Sequence, residues 1–562
     1  MLEQFIKNRI IAQLPFEANE GQVQLLDKLS QFIISPTPRK AFILRGYAGT
    51  GKTSIMAALV QAMKDLNQRI VLLAPTGRAA KVLSKYAHVP AYTIHKYIYR
   101  ARTAMCAPSL EARGDEARGD EAIRRWGDEA IRREAMRREA RGKEQFTLRD
   151  NLHKHTLFIV DEASMISGNG QWAMGNGQAL FGSGNLLDDL VRFVYSSEGC
   201  SLLLLGDDAQ LPPVGSTQSP ALSEEYMAGY QLDIHSHTLT EVARQANNSG
   251  ILANATRLRP LALGGRSSGV LISAEASNDY SQANVQEFRS SGVQEFRSLG
   301  VQEDTFWDLL KFGEDVCTVS GAELLEALEQ SYNEVGEEET ILLTRTNKRT
   351  NIYNQGIRAR ILWREDEISS GDRLMVSKNN YFWTEKYEDL PFLANGDMLE
   401  IVRLRNEREM YGYHFADVQL RSLDYDWEID AVVWLDSLRS DTQDANNVMH
   451  RDLFWKIAED YPELQRNKKQ LAEAVYSSPY YNALQVRMAY AITGHKSQGG
   501  QWERVFIDPN IGGAMRREGD EAMRREGDEA RRREGDEARE FYRWLYTAIT
   551  RATKKVYFIK NN

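Results

Sequence analysis

The chain has 562 residues, 42% hydrophobic and 27% charged; at roughly 150 residues per domain this suffices for about three to five packed domains and excludes a disordered or collagen-like chain. Cys106, Cys200 and Cys317 are too widely spread for a disulfide scaffold or a thiolate zinc site, and they fit a reducing compartment. The net charge of −9 argues against nonspecific coating of nucleic acid but not against a local basic groove. The His153/His155 and His235/His237 pairs lack the neighbouring ligands of a metal site and read as ordinary polar residues. The N-terminal apolar run is broken by Glu3, Lys7 and Arg9, and apolar stretches such as 202–205 fall far short of the ~20 residues of a membrane span, so a cytoplasmic protein without a membrane partner is expected.

Apolar strands separated by helical stretches predict parallel α/β sheets in two blocks, about 1–260 and 300–562. The first strand, 41–44, runs into GYAGTGKT at 46–53 and a helix over 54–64. Strand, glycine loop and helix start form the context of a phosphate loop: amides of Gly46, Ala48, Gly49, Thr50 and Gly51 curl around phosphates, Lys52 reaches the β- and γ-phosphates, and Thr53 binds Mg²⁺. A second strand spans 70–74. A third, 157–160, ends in Asp161 and Glu162, where Asp161 is expected to hold Mg²⁺ and Glu162 to polarise an attacking water. The strand 202–205 leads into GDDAQLPPV, placing Gln210 to sense a γ-phosphate. Arg244 follows in LTEVARQ. In the second block, strands are expected at 341–344, 489–492, 505–507 and 556–559, with Arg551 in YTAITRA just before the last. Phosphoryl transfer needs cationic fingers, and Arg244 and Arg551 are the candidates. Residues 396–436 alternate in polarity and predict a small antiparallel barrel; 441–485 read as helical and polar.

Tandem units interrupt this pattern. VQEFRSSG-VQEFRSLG-VQE occupies 285–303, AMRREGDE-AMRREGDE-ARRREGDE-ARE occupies 514–540, GDEAIRRW-GDEAIRRE ends at Glu134, and GNGQWAM-GNGQ fills 168–178. Reading the codons backwards, three copies of GGAGTTCA translate to GVQEFRSS, three of GGCAATG to GNGQWAM, and three of GGCGATGA to GDEAMRR and a stop, where this chain has Trp126 or Glu134. We expect short DNA repeats expanded through all three frames; sequencing the gene checks this, and scrambled codons there would reject it. Residues 113–144 hold ten basic and nine acidic side chains, so they carry no net field for phosphate and read as a solvated surface insertion. Removing 514–538 is expected to leave at least part of any turnover.

The ordered motifs resemble those of superfamily 1 helicases, in particular the 5′-to-3′ group of RecD-like and phage Dda-like enzymes. Gln22, after Phe16 and Asn19, is similar to the adenine-reading glutamine; 46–53 to motif I, 74–80 to motif Ia, 161–165 to motif II, 206–213 to motif III, Arg244-Gln245 to motif IV, 490–499 to motif V and 546–552 to motif VI. Residues 371–375, 379–381 and 395–397 resemble the lead-in to the family's barrel. The resemblance implies an α/β fold of two RecA-like P-loop domains with a small wedge insertion and an SH3-like β-barrel insertion. The expected division is domain 1A at 1–97 and 156–262, wedge 1B at 98–155 with the charged repeat, a linker at 263–303, domain 2A at 304–395 and 486–562 with the repeat insertion 511–540, and barrel 2B with its helical segment at 396–485. It also implies a monomeric, ATP- and Mg²⁺-dependent DNA helicase or single-strand translocase of 5′-to-3′ polarity, of the kind used in DNA repair and recombination, acting on single-stranded or tailed duplex DNA. Thr76, Arg78, His95, Lys96, Thr493, His495 and Lys496 follow strand ends and offer donors suited to a sugar-phosphate backbone. Tyr92, Tyr97, Tyr381, Phe382 and Trp383 are candidates for stacking on bases. An RNA helicase of the same superfamily stays open because the sequence offers no 2′-OH reader to decide, and a DNA-stimulated ATPase that binds without unwinding stays open because charged repeats occupy the wedge region.

Overall fold

The computed structural model describes residues 2–101, 146–168, 183–242, 249–264, 303–387, 390, 392–440, 443–465, 467–510 and 528–560. Cys106, Arg244, Gln245 and most of the tandem units lie outside them.

Two parallel sheets and a closed barrel carry the molecule. The first sheet runs in the order Ala91–Thr93, Arg69–Ala74, Thr156–Val160, Ser201–Gly206, Lys40–Gly46, Asp233–Leu239. Its central strands are buried throughout and packed by helices such as Glu20–Ile34 and Lys52–Asp65, which explains their unbroken apolar runs. The second sheet runs Ala491–Thr493, Thr340–Thr344, Trp502–Ile507, Ala552–Lys560, Val316–Ser320, again parallel. Two RecA-like lobes in one α/β chain, with a barrel inserted, is the architecture expected.

The barrel is larger than the alternating interval. Arg373–Val376 and Leu484–Met488 join Met398–Met410, Tyr413–Ser422 and Glu428–Trp434, because only these flanking strands satisfy the free edges of the three-stranded meander. The expected strand at 489–492 is accordingly two pieces: the backbone leaves the barrel at Met488 and enters the second sheet at Ala491. The Asn354 side chain stitches the joint, accepting from the amides of Tyr490 and Ala491 at 3.0 and 2.7 Å. The polar segment between the barrel strands Glu428–Trp434 and Leu484–Met488 forms the helices Gln443–Ala458 and Lys468–Tyr476, which pack Leu453, Ile457 and Val475 on Phe415 and Trp434.

Where the wedge is expected, Tyr99–Ala101 pairs antiparallel with Phe146–Leu148. The charged unit between these strands lies outside the described residues. The last unit of the 514–540 repeat is helical: Asp528–Ile549 runs through Gly535 into the segment that carries Tyr546. Deleting 514–538 would therefore also remove the first half of this helix.

Candidate nucleotide site and strand groove

The phosphate loop connects the Lys40–Gly46 strand to the Lys52–Asp65 helix. Gly51 takes φ 85°, and a Cβ there would lie 2.8 Å from the Gln22 side chain, so only glycine serves. Gln22 and Phe16 meet the loop at this point. The Gln22 amide donates to the Thr50 carbonyl at 3.0 Å, and its side-chain oxygen accepts from the Asn19 amide in a capping box. Lys52 Nζ donates to the carbonyls of Gly46 and, at 3.1 Å, Tyr47, and lies 3.9 Å from Asp207. Thr53 sits on the first turn of the same helix.

Asp161 and Glu162 leave the Thr156–Val160 strand, which is separated from the phosphate-loop strand by Ser201–Gly206. Burial, then the charge of Glu162, pushes the Asp161 carboxyl up to about 6, while Lys52 and Arg551 pull it back. Glu162 holds a left-handed backbone at φ 51°, unusual for a side chain of its size, and its amide donates to Asp161 Oδ1 at 2.9 Å. A carboxylate whose ionised form is penalised by burial fits a hard divalent cation, which Asp161 would hold together with Thr53. Among the described residues no group of three or more His, Cys, Asp or Glu could hold a metal; Mg²⁺ needs only one or two carboxylates beside phosphates. Gln210 is buried in the loop after Ser201–Gly206, its amide donating to the Asp207 carbonyl at 3.2 Å and its side-chain oxygen lacking a hydrogen-bond partner.

The second lobe completes this site. Arg551 Nη1 lies 3.5 Å from Glu162 Oε1, and the guanidinium also donates to the carbonyls of Thr547 (3.1 Å) and Gly500 (3.4 Å). Tyr546, missed from sequence, bridges the lobes: its hydroxyl donates to Asp207 at 2.7 Å and accepts from the Ala48 amide at 2.9 Å. Thr547 Oγ1 accepts from the Leu211 amide at 3.0 Å, and the Gln498 side chain donates to the Leu211 carbonyl at 2.7 Å. Ala209 and Leu211 of the first lobe share an apolar core with Trp544, Leu545 and Ile549 of the second. The signal for Tyr546 was its place in motif VI; nothing local marks its partner 498 residues away.

The candidate strand-binding residues converge where both lobes meet the barrel. Thr76 caps the Gly77–Ala87 helix, and Gly499 packs so closely on it that a Cβ would lie 3.2 Å from Thr76 Oγ1. Arg78 faces Asp424 at 3.9 Å, donates to the Gln501 carbonyl at 3.3 Å and stacks on Trp502. Lys96 lies 3.6 Å from Asp397, and Lys496 donates to Asn395 at 3.3 Å, so amines from both lobes flank one turn of the barrel. Burial, then Arg487, lowers Lys496 to about 8. Thr493 precedes the Gly494–Ser497 turn. Burial drives His95 down to about 4 and lowers His495 as well, so both imidazoles are neutral near pH 7 and offer hydrogen bonds rather than charge. Of the stacking candidates, Tyr92 is exposed; Tyr97 bonds to His153, Tyr381 packs on Phe392, and Trp383 donates to Asn482.

The family model of an AAA domain matches residues 17–174, which contain the phosphate loop and the Asp161-Glu162 pair. The uncharacterized protein R530 of Acanthamoeba polyphaga mimivirus is 24% identical, over 87% of this chain and 93% of its own length. The ATP-dependent DNA helicase RecG of Pasteurella multocida is 32% identical over 71 residues, 13% of this chain and 10% of that protein. Among solved structures, the Pif1 helicase of Candida albicans aligns with TM-score 0.37 and 13% identity over 97% of this chain and 95% of that one. A Bacteroides Pif1 helicase in complex with ADP-AlF3 and ssDNA aligns with TM-score 0.39 and 14% identity over 97% and 92%.

Proposed function

We infer that this chain, whose residues 17–174 match the family model of an AAA domain, is an ATP-hydrolysing DNA helicase or single-strand translocase of superfamily 1B that steps 5′ to 3′. The observation that carries the reading is the seam: Lys52, Asp161 and Glu162 come from one lobe, Arg551 reaches Glu162 from the other, and Tyr546 of that same second lobe holds Asp207, the carboxylate beside Lys52. An arginine that enters the site from the opposite lobe ties cleavage of the γ-phosphate to the relation between lobes. Glu162 orients the attacking water, and Lys52 and Arg551 take up charge that develops on the phosphoryl oxygens. Bound Mg²⁺, on Thr53 and Asp161, supplies further charge neutralisation. Gln22 reads the base, and Gln210, with an open acceptor, senses the phosphate end. Arg244 is the second proposed finger.

The groove lined by Thr76, Arg78, Lys96, Thr493 and Lys496 takes the backbone of the strand, with His95 and His495 as neutral donors. Alternating grip by the first-lobe and second-lobe loops moves it. DNA as the substrate and the polarity rest on the motif resemblance. Unwinding of 5′-tailed against 3′-tailed duplexes, with ATP and Mg²⁺, tests both: separation of the 5′-tailed duplex alone is expected, and strong DNA-stimulated hydrolysis with no strand separation would leave a binding ATPase instead.

Tyr546→Phe isolates the coupling between lobes. The ring stays in the seam core while the hydroxyl link from Asp207 to Ala48 is lost. Stimulation of ATP turnover by oligo-dT is expected to fall about tenfold, in line with losing one charge-assisted hydrogen bond, with a smaller change in KM. Equal stimulation in the variant and the parent would contradict a coupling role.

A further inference from the structure

Two of the cations assigned to the strand, Arg78 and Lys96, are already engaged by acidic partners. The turn between Tyr413–Ser422 and Glu428–Trp434 reaches from the barrel into the first lobe. It places the Asp424 carboxylate 3.9 Å from Arg78 and the Tyr425 ring 4.3 Å from Lys96 Nζ. A Cβ on Gly77 would lie 3.0 Å from that ring, so the absence of a side chain there admits Tyr425. The adjacent turn adds Asp397, 3.6 Å from Lys96. Lys81 anchors the same turn through the Leu423 carbonyl.

We propose that Asp424 and Asp397 act as stand-ins for backbone phosphates, so that the barrel turn 423–425 plugs the strand groove and must be displaced by single-stranded nucleic acid. This rests on the reading of that groove as the strand path and adds its regulation. The contact is poorly satisfied where it matters. Asp424 is 8% exposed and Asp397 4%, yet Lys96 Nζ and Asp424 Oδ1 lack hydrogen-bond partners. Asp397 Oδ2 also accepts from the Ala394 amide at 2.8 Å, but a buried carboxylate such as Asp424, held by an ion pair alone, is costly. Burial pushes both carboxyls above their ordinary range, with Arg78 opposing at Asp424 and Lys96 at Asp397. Phosphate oxygens would give Arg78 and Lys96 acceptors, and displacement of the turn would return the Asp424 carboxylate to water. The turn itself is internally braced, with Ser422 Oγ accepting from the amides of Asp424 and Tyr425 at 3.2 and 3.1 Å, so it can leave as a unit.

The test compares the full chain with Asp424→Asn, using fluorescence anisotropy of a labelled oligo-dT at one fixed salt concentration. Binding roughly three- to tenfold tighter is expected when one competing carboxylate is neutralised, with half-maximal ATPase stimulation at correspondingly lower DNA. A parent that binds and a variant that binds no more tightly overturns the plug alone. Failure of both to bind overturns the plug and the DNA reading together. Hydrogen exchange on the unmodified chain provides a second readout: amides of 423–426 are expected to exchange faster once oligo-dT is added, and unchanged or greater protection also overturns the plug.

Discussion

Lys52→Ala is expected to abolish ATP turnover, by about 10³-fold or more, with the fold retained. The size follows from removing one positioned charge from a phosphoryl-transfer site, where single electrostatic contacts are worth about 10²–10³ and cationic fingers about 10³–10⁵. Retention of the fold follows from what Lys52 touches: two carbonyls of its own loop and the Asp207 carboxylate, with no apolar packing partner among these contacts. Asp207 keeps the hydroxyl of Tyr546 and the amide of Ala209, so it is not stranded. Turnover is read by phosphate release with saturating oligo-dT, and thermal unfolding is read beside it. A variant that hydrolyses ATP like its parent would remove the phosphate loop from the mechanism.

Arg551→Ala separates hydrolysis from nucleotide binding. Its kcat should drop by about 10³-fold, as for loss of a cationic finger, while KM for ATP shifts by only a few-fold, because the loop and Lys52 remain in the other lobe. Arg551 is 4% exposed and braces two backbone carbonyls, so alanine also removes structural bonds. Arg551→Lys covers that possibility: it keeps the charge at the Glu162 carboxylate but not the forked geometry, and an intermediate kcat with a parental melting temperature is expected. If both variants hydrolyse at the parental rate, the residue serves only the packing of its lobe, and the two-lobe motor fails with it.

Features that are contiguous in the chain were legible from sequence. The strands at 41–44, 157–160 and 202–205 were plain because helices cover both faces of their sheet and leave unbroken apolar runs. Edge strands were not: Asp233–Leu239 pairs on one side only, and its DIHSHTL sequence carries polar residues that a central strand would not. The barrel was visible as alternation, but its first and last strands, Arg373–Val376 and Leu484–Met488, are short and fully or largely buried, which erases the period of two. In the site, the loop and the carboxylate pair each lie within a few residues and could be read directly. The partners of Ala48 and Arg78 are brought together only by folding, across the lobe seam and the barrel contact, and no local pattern encodes them. The strained backbone of Glu162 is likewise a property of the turn and not of its composition.

The helix Asp528–Ile549 is pinned at its far end. Arg543 donates to the carbonyls of Ala262 and Thr217, Thr547 accepts from Leu211, and Tyr546 reaches Ala48. The octad repeat enters at the opposite end. Gaining or losing a copy upstream of Asp528 therefore leaves the clamped end in place, since each helical residue is positioned by its own anchors and not by counting from the start. If the octads come from an expanded DNA repeat, slippage during replication would change the length of this gene segment while the distance between Arg551 and Glu162 stays constant.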